Sequence, residues 1–184
     1  MRGIGVVVTL ILSLSIVGCS SYSVQSDYDP ETNFTAYKSY GWLKELEIEG
    51  DALAKYPLVR KRIHTAVDTA LQAKGYVFQE YGNPDFLVIT HAGVKEKIQV
   101  SDYGYTYDPW YGPYGYGGRH IDVNQYEEGT LVIDIIDAAQ NDLVWRGMGT
   151  GVVQSYTEPA KMEQAIQEKV TKILEKFPPE PKKK

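Results

Sequence analysis

The shortest spacing between a histidine and a carboxylate in this chain is His120-Ile121-Asp122. On a strand, positions i and i+2 face the same side, so the two groups would converge. With Asp102 or Asp108 they could hold a metal ion. Zinc asks for three or four nitrogen, sulfur or oxygen ligands, and the neighbourhood does not supply a full set. His64 falls beside the apolar stripe of a helix and His91 on the less apolar face of a strand. Neither has a ligand partner at short spacing, so both read as structural. No G-x-S-x-G elbow, H-E-x-x-H pair or G-x-x-x-x-G-K-[ST] loop occurs. Gly147-Met148-Gly149-Thr150-Gly151 follows a strand but opens no helix and carries no lysine. Glycines at alternate strand positions point to a bulge or close packing rather than a phosphate cradle. Glu127-Glu128 would need a cleft before it meant catalysis. The residues imply no cofactor, and they argue against an enzyme.

Binding chemistry is better represented. The stretch YGYTYDPWYGPYGYGG, residues 103–118, holds six tyrosines, one tryptophan, five glycines and two prolines. Each large aromatic buries about 150–250 Å² in a contact. Tyr103, Tyr105, Tyr107, Trp110, Tyr111, Tyr114 and Tyr116 together would therefore present on the order of 1,000 Å². The largest apolar patch on a typical monomer is about 300–600 Å². A fully exposed cluster would call for a partner, and flat rings with polar tips suit sugars and proteins. The opposing expectation is a tip that packs on itself, its glycines and prolines keeping it from pairing with other chains.

The N-terminus sets an address. Met1-Arg2-Gly3 precedes an apolar run from Ile4 to Val17, too short for a confident membrane span of about 20 residues. A basic start, a short apolar core and a small residue at its end make a secretory signal. The run ends Ile16-Val17-Gly18-Cys19, which closely resembles a bacterial lipobox, and Cys19 is the only cysteine. An unpaired cysteine in an exported protein needs an explanation, and lipidation supplies one. Residues 1–18 are then a signal peptide, and acyl chains on Cys19 would hold the rest on a membrane. Ser20, by resemblance to Gram-negative sorting, suggests the outer membrane, on its periplasmic face. The formal net charge of −5 and the absence of any long basic run before Lys182 argue against nucleic acid. Residues 180–184 read as a disordered, lysine-rich tail.

Between these ends the pattern predicts one domain over residues 19–179. Tyr22, Val24, Ser26 and Tyr28 alternate as a first strand, and Phe34–Tyr37 suggests a helical turn. A second strand over 38–43 places Tyr40 and Trp42 on one face. Pro57 opens a helix whose stripe is Val59, Ile63, Ala66, Val67, Ala70 and Leu71, and Gly75 closes it. A long strand follows Pro84-Asp85 and returns through Ile121 and Val123, making the tyrosine stretch a hairpin tip. A bulge is expected at Glu127-Glu128-Gly129. A central strand over 131–136 and its partner from Leu143 come next, and Asp134 and Arg146 face one another if the register allows. Thr157 is the expected cap of a last helix, in which Met162 and Phe177 are core. Strands joined by hairpins and two single-stripe helices predict an α+β, two-layer sandwich. Its sheet would be mainly antiparallel, with both helices packed on one face.

The pieces SDYDPETNFTAYKSYGWL, NPDFLVITHAGVKEKIQV, the tyrosine stretch, YEEGTLVIDIIDAAQNDLVWRGMG and AIQEKVTKILEKFPP resemble the bacterial lipoprotein family catalogued as domain of unknown function 4136. The resemblance runs over nearly all of 19–179. One departure is the turn Gln140-Asn141, where such proteins often carry glycine. The family has no established activity, so it transfers no catalytic residues. The expectation is a lipid-anchored cell-envelope binding or scaffolding module that meets peptidoglycan or another envelope protein through the tyrosine stretch. The alternative is an envelope hydrolase or metal-dependent enzyme with a site near His120 and Asp122.

Overall fold

The computed structural model describes residues 22–43, 50–107 and 116–180, with backbone alone over 98–107 and 116–124. It is α+β, with six strands in one sheet and two helices. In chain order the elements are β1 (Ser23–Tyr28), β2 (Ser39–Trp42), α1 (Pro57–Ala73), β3 (Val77–Phe78), β4 (Phe86–Tyr107), β5 (Tyr116–Asp137), β6 (Leu143–Val152) and α2 (Pro159–Leu174). Two 3-10 turns add Phe34–Ala36 and Ala52–Lys55. The strand order is β1-β6-β5-β4-β2-β3.

The sheet is mixed rather than mainly antiparallel. β1, β6, β5 and β4 pair antiparallel, but β2 runs parallel to both β3 and β4. The reason is the crossover. A helix between β2 and β3 returns the chain in the same direction, as a parallel neighbour requires. β3 is only two residues long, which is too short for periodicity to register, and with it the parallel half of the sheet escaped the sequence reading.

Two further expectations give way. No bulge interrupts Glu127-Glu128-Gly129: Val94↔Gly129, Lys95↔Glu128 and Glu96↔Glu127 follow in unbroken register. β5 is therefore one continuous strand rather than a return strand and a separate central one. The irregularities lie elsewhere, between Asp102, Tyr105 and Tyr107 on β4 and between Ile135 and Ile136 on β5. At α2 the cap position is Glu158, not Thr157, with Pro159 in the first turn and no side-chain cap. The Gln140-Asn141 turn forms as expected, with Asn141 at φ 59°, a left-handed position that asparagine tolerates.

One aromatic-rich core joins the helices to the sheet. Tyr40, Phe86, Trp145 and Phe177 are fully buried or nearly so, with Val67 and Leu71 of α1 and Val170, Ile173 and Leu174 of α2. Phe177 touches Phe34, Phe86 and Trp145 edge-on, each pair within 5.2–6.0 Å between centroids. Buried carboxylates tie the periphery. The Asp68 carboxylate accepts from Tyr40 Oη at 2.8 Å and Trp42 Nε1 at 3.1 Å, joining α1 to β2. This is the shared face of Tyr40 and Trp42 that the alternation predicts. Asp85 accepts from the Lys38 and Ser39 amides and the Ser39 hydroxyl at 2.8–2.9 Å, fixing the start of β2 to that of β4. Asp134 and Arg146 sit directly opposite one another and form a two-bond ion pair, Nε–Oδ1 2.7 Å and Nη2–Oδ2 2.6 Å.

Candidate functional site: a projecting hairpin and a glycine-floored groove

β4 and β5 each run 22 residues, and they outlast every neighbour. β6 stops pairing with β5 at Val152↔Glu128, and β2 leaves β4 at Trp42↔Val88. From Glu96↔Glu127 to Tyr107↔Tyr116 the pair continues alone. At about 3.3 Å per residue this arm extends nearly 40 Å beyond the sheet. At its base Lys97 pairs with Glu128 at 3.0 Å, with the lysine half exposed. Such a pair in water adds little stability.

The aromatic residues singled out from the sequence belong to the arm's far end. Tyr103, Tyr105, Tyr107 and Tyr116 lie on its strands, with Tyr105 opposite Arg119 and Tyr107 opposite Tyr116. Trp110, Tyr111 and Tyr114 fall outside the described residues, as do Asp108 and Cys19. His120 and Asp122 are also on the arm, with Asp122 opposite Ser101 and Asp102 opposite Ile121. Among the described residues no three His, Cys, Asp or Glu side chains group as a metal site. His64 stacks on Trp42 at 3.8 Å, nearly coplanar, and His91 is half-buried on β4.

A second feature went unseen in the sequence. Four rows of residues cross β4, β5 and β6 on the helix-facing side. They read Val88-Ile135-Trp145, Thr90-Ile133-Gly147, Ala92-Leu131-Gly149 and Val94-Gly129-Gly151. Side chains shrink along the sheet, from a tryptophan at one end to paired glycines at the other. Near the core the glycines are filled from above. A Cβ on Gly147 would run into the Trp145 ring and Ile173, and one on Gly149 into the Tyr22 ring and Ile173. The alternate glycines thus permit close packing, one of the two readings the sequence offered.

Farther out the helices no longer fill the space, and a groove of about 530 Å³ remains. Gly129, Gly149 and Gly151 contribute to its lining, with Leu53, Ile63, Val152, Met162 and Ile166 among the apolar side chains. Met162 therefore lines a groove instead of filling the core. Asp51 shapes one wall: its carboxylate accepts from the Leu53 amide, the Ala92 amide and Arg60, at 2.9–3.0 Å. One residue thereby locks the 3-10 turn to β4 and α1. Two polar groups stand in the lining. The Tyr22 hydroxyl is buried with no hydrogen-bond partner, and burial pushes its pKa up to about 12. Lys169 holds its ammonium 5.8 Å from the Tyr22 ring centroid, and burial pulls its pKa down. The signal for the groove was the glycine spacing on β6. Only the register with Gly129 and the placement of α2 turned that spacing into a space.

No curated protein matches the chain. Among solved structures, a PDZ domain protein from Parabacteroides distasonis is similar at TM-score 0.55 and 12% identity, over 86% of this chain. This chain spans only 36% of that protein, and at this identity the likeness speaks to fold alone. Two PelC dodecamer structures from Paraburkholderia phytofirmans align at TM-scores of 0.42 and 0.45 and 13–14% identity, over 83% of this chain and 94% of theirs. The family model described as "Domain of unknown function (DUF4136)" matches residues 24–179, every element of the fold from β1 to α2, and the chain belongs to that family.

Proposed function

We propose that this protein is a lipid-anchored binding or scaffolding module of the bacterial cell envelope, and that the far end of the β4–β5 arm is its contact surface. The observation that carries this reading is the arm itself. An isolated two-stranded ribbon is marginal in water, and stability ordinarily needs a third strand or a covering helix. A chain that extends one far past its sheet and ends it in tyrosine, tryptophan and glycine is built to meet another surface. The anchor rests on Val17-Gly18-Cys19 and on Cys19 being the only cysteine. The outer membrane, periplasmic face, follows from Ser20 by the same pattern. Peptidoglycan and a second envelope protein are the partners whose chemistry suits tyrosine faces.

Photo-crosslinking in living cells from position 110, with position 161 on α2 as a distant control, tests the reading. A discrete adduct from position 110 alone identifies the partner. No adduct, or the same smear from both positions, removes the arm as the contact surface. A chain with residues 103–118 replaced by a short turn should fold and lose the adduct. Loss of the fold would instead make the stretch part of the core.

A further inference from the structure

The groove is remote from the arm's tip and needs an occupant of its own. It is long on apolar lining, floored by glycine backbone, and carries one ammonium and one unpartnered hydroxyl. We propose that it binds a single-chain fatty acid, the hydrocarbon lying over Gly129, Gly149 and Gly151 and the carboxylate meeting Lys169 and Tyr22.

Three observations converge on that chemistry. The first is size: about 530 Å³ lies in the ~300–1,000 Å³ range of small-molecule sites and admits one chain rather than a diacyl lipid. The second is the floor. Glycine lets a ligand approach the sheet backbone closely, and a smooth surface without side chains suits a flexible methylene chain. The third is charge. Lys169 makes no ion pair with a carboxylate among the described residues, although Lys97, Arg146 and Lys161 each do. A half-buried cation over a tyrosine ring, beside a hydroxyl lacking a partner, is an incomplete polar cluster, and a carboxylate completes it. Glu127 also lines the groove, exposed to water, and would favour a ligand oriented with its head at Lys169 rather than at the opposite wall.

The test is calorimetric titration of the full chain carrying Cys19→Ser, so that no acyl group of its own competes. Dodecanoate, below its micelle concentration, should bind one per chain and about tenfold more tightly than dodecanol. Lys169→Met should abolish that preference while leaving dodecanol binding in place, and Lys169→Arg should keep it. Ile166→Trp, which fills the groove, should weaken both ligands at least tenfold. Circular dichroism separates these outcomes from misfolding. Failure of dodecanoate to saturate overturns the proposal, as does equal binding of acid and alcohol. So does a chain that sediments with phosphatidylglycerol vesicles but ignores dodecanoate. Replacing residues 103–118 should leave dodecanoate binding unchanged, so this proposal and the arm's role stand or fall separately.

Discussion

The sheet's covered end and the β4–β5 arm are made of the same two strands, yet they obey different rules. At the covered end every second residue meets α1, α2 or an aromatic ring, and Val88, Ile133 and Ile135 lose all contact with water. Twelve residues farther along the strands, pairing is the only tertiary support. The groove lies between these regimes, where the sheet continues but the helices have moved off. Function in this molecule is therefore expected where packing stops. Burial at one end of the strands supplies the stability that allows the other end to stay uncovered.

The sharpest way to break that comparison is to damage the covered end. Trp145→Ala removes a side chain buried between Phe177 and the Gly147 backbone, and should cost about 3–5 kcal/mol in chemical denaturation. Gly147→Ala comes next. Its new methyl meets Trp145 and Ile173, and overpacking of this kind costs about 1–3 kcal/mol. The same substitution at Gly93 meets nothing within 4 Å and should have the opposite sign, stabilising by about 0.5–1 kcal/mol. Equal effects at the two glycines would mean that the row gradient does not govern packing.

Acid sharpens the comparison further, because the carboxylates that tie elements together belong to the covered end. The Lys38 amide, the Ser39 hydroxyl and the Ser39 amide hold Asp85 below the usual carboxylate range, against a smaller opposing effect of burial. A depressed folded pKa means its contribution is complete above about pH 4, the unfolded value, and is lost as pH falls through the folded one. The melting temperature should therefore drop below pH 4, and Asp85→Asn should flatten that drop. The smallest effect is expected from the arm. Excising residues 97–126 and closing the ends with a tight turn should leave the melting temperature within a few degrees, since only pairing between β4 and β5 is lost. A large loss would show that the arm folds back on the body.

Much of the covered end was legible because periodicity reports burial. The stripe Ile63, Ala66, Val67, Ala70 and Leu71 predicted α1, and each of these residues is buried. The Asp134–Arg146 pair was legible because both sit on strands joined by one short turn. The parallel half of the sheet was not, since β3 is two residues and its partner β2 lies across a 17-residue helix. The groove was half legible. Gly147, Gly149 and Gly151 are spaced for one face of a strand, but Gly129 is distant in sequence and looked like a bulge.

By itself the sequence determined the α+β class, the two helices, the hairpin ending in tyrosines and the family, because each is written in local spacing or in composition. Only the tertiary structure decided the mixed sheet, the length by which the arm outruns its neighbours, and the groove at the margin of the helices. Each of these depends on register between strands and on where a helix comes to rest. Such relations hold between residues far apart in the chain, and no local pattern records them.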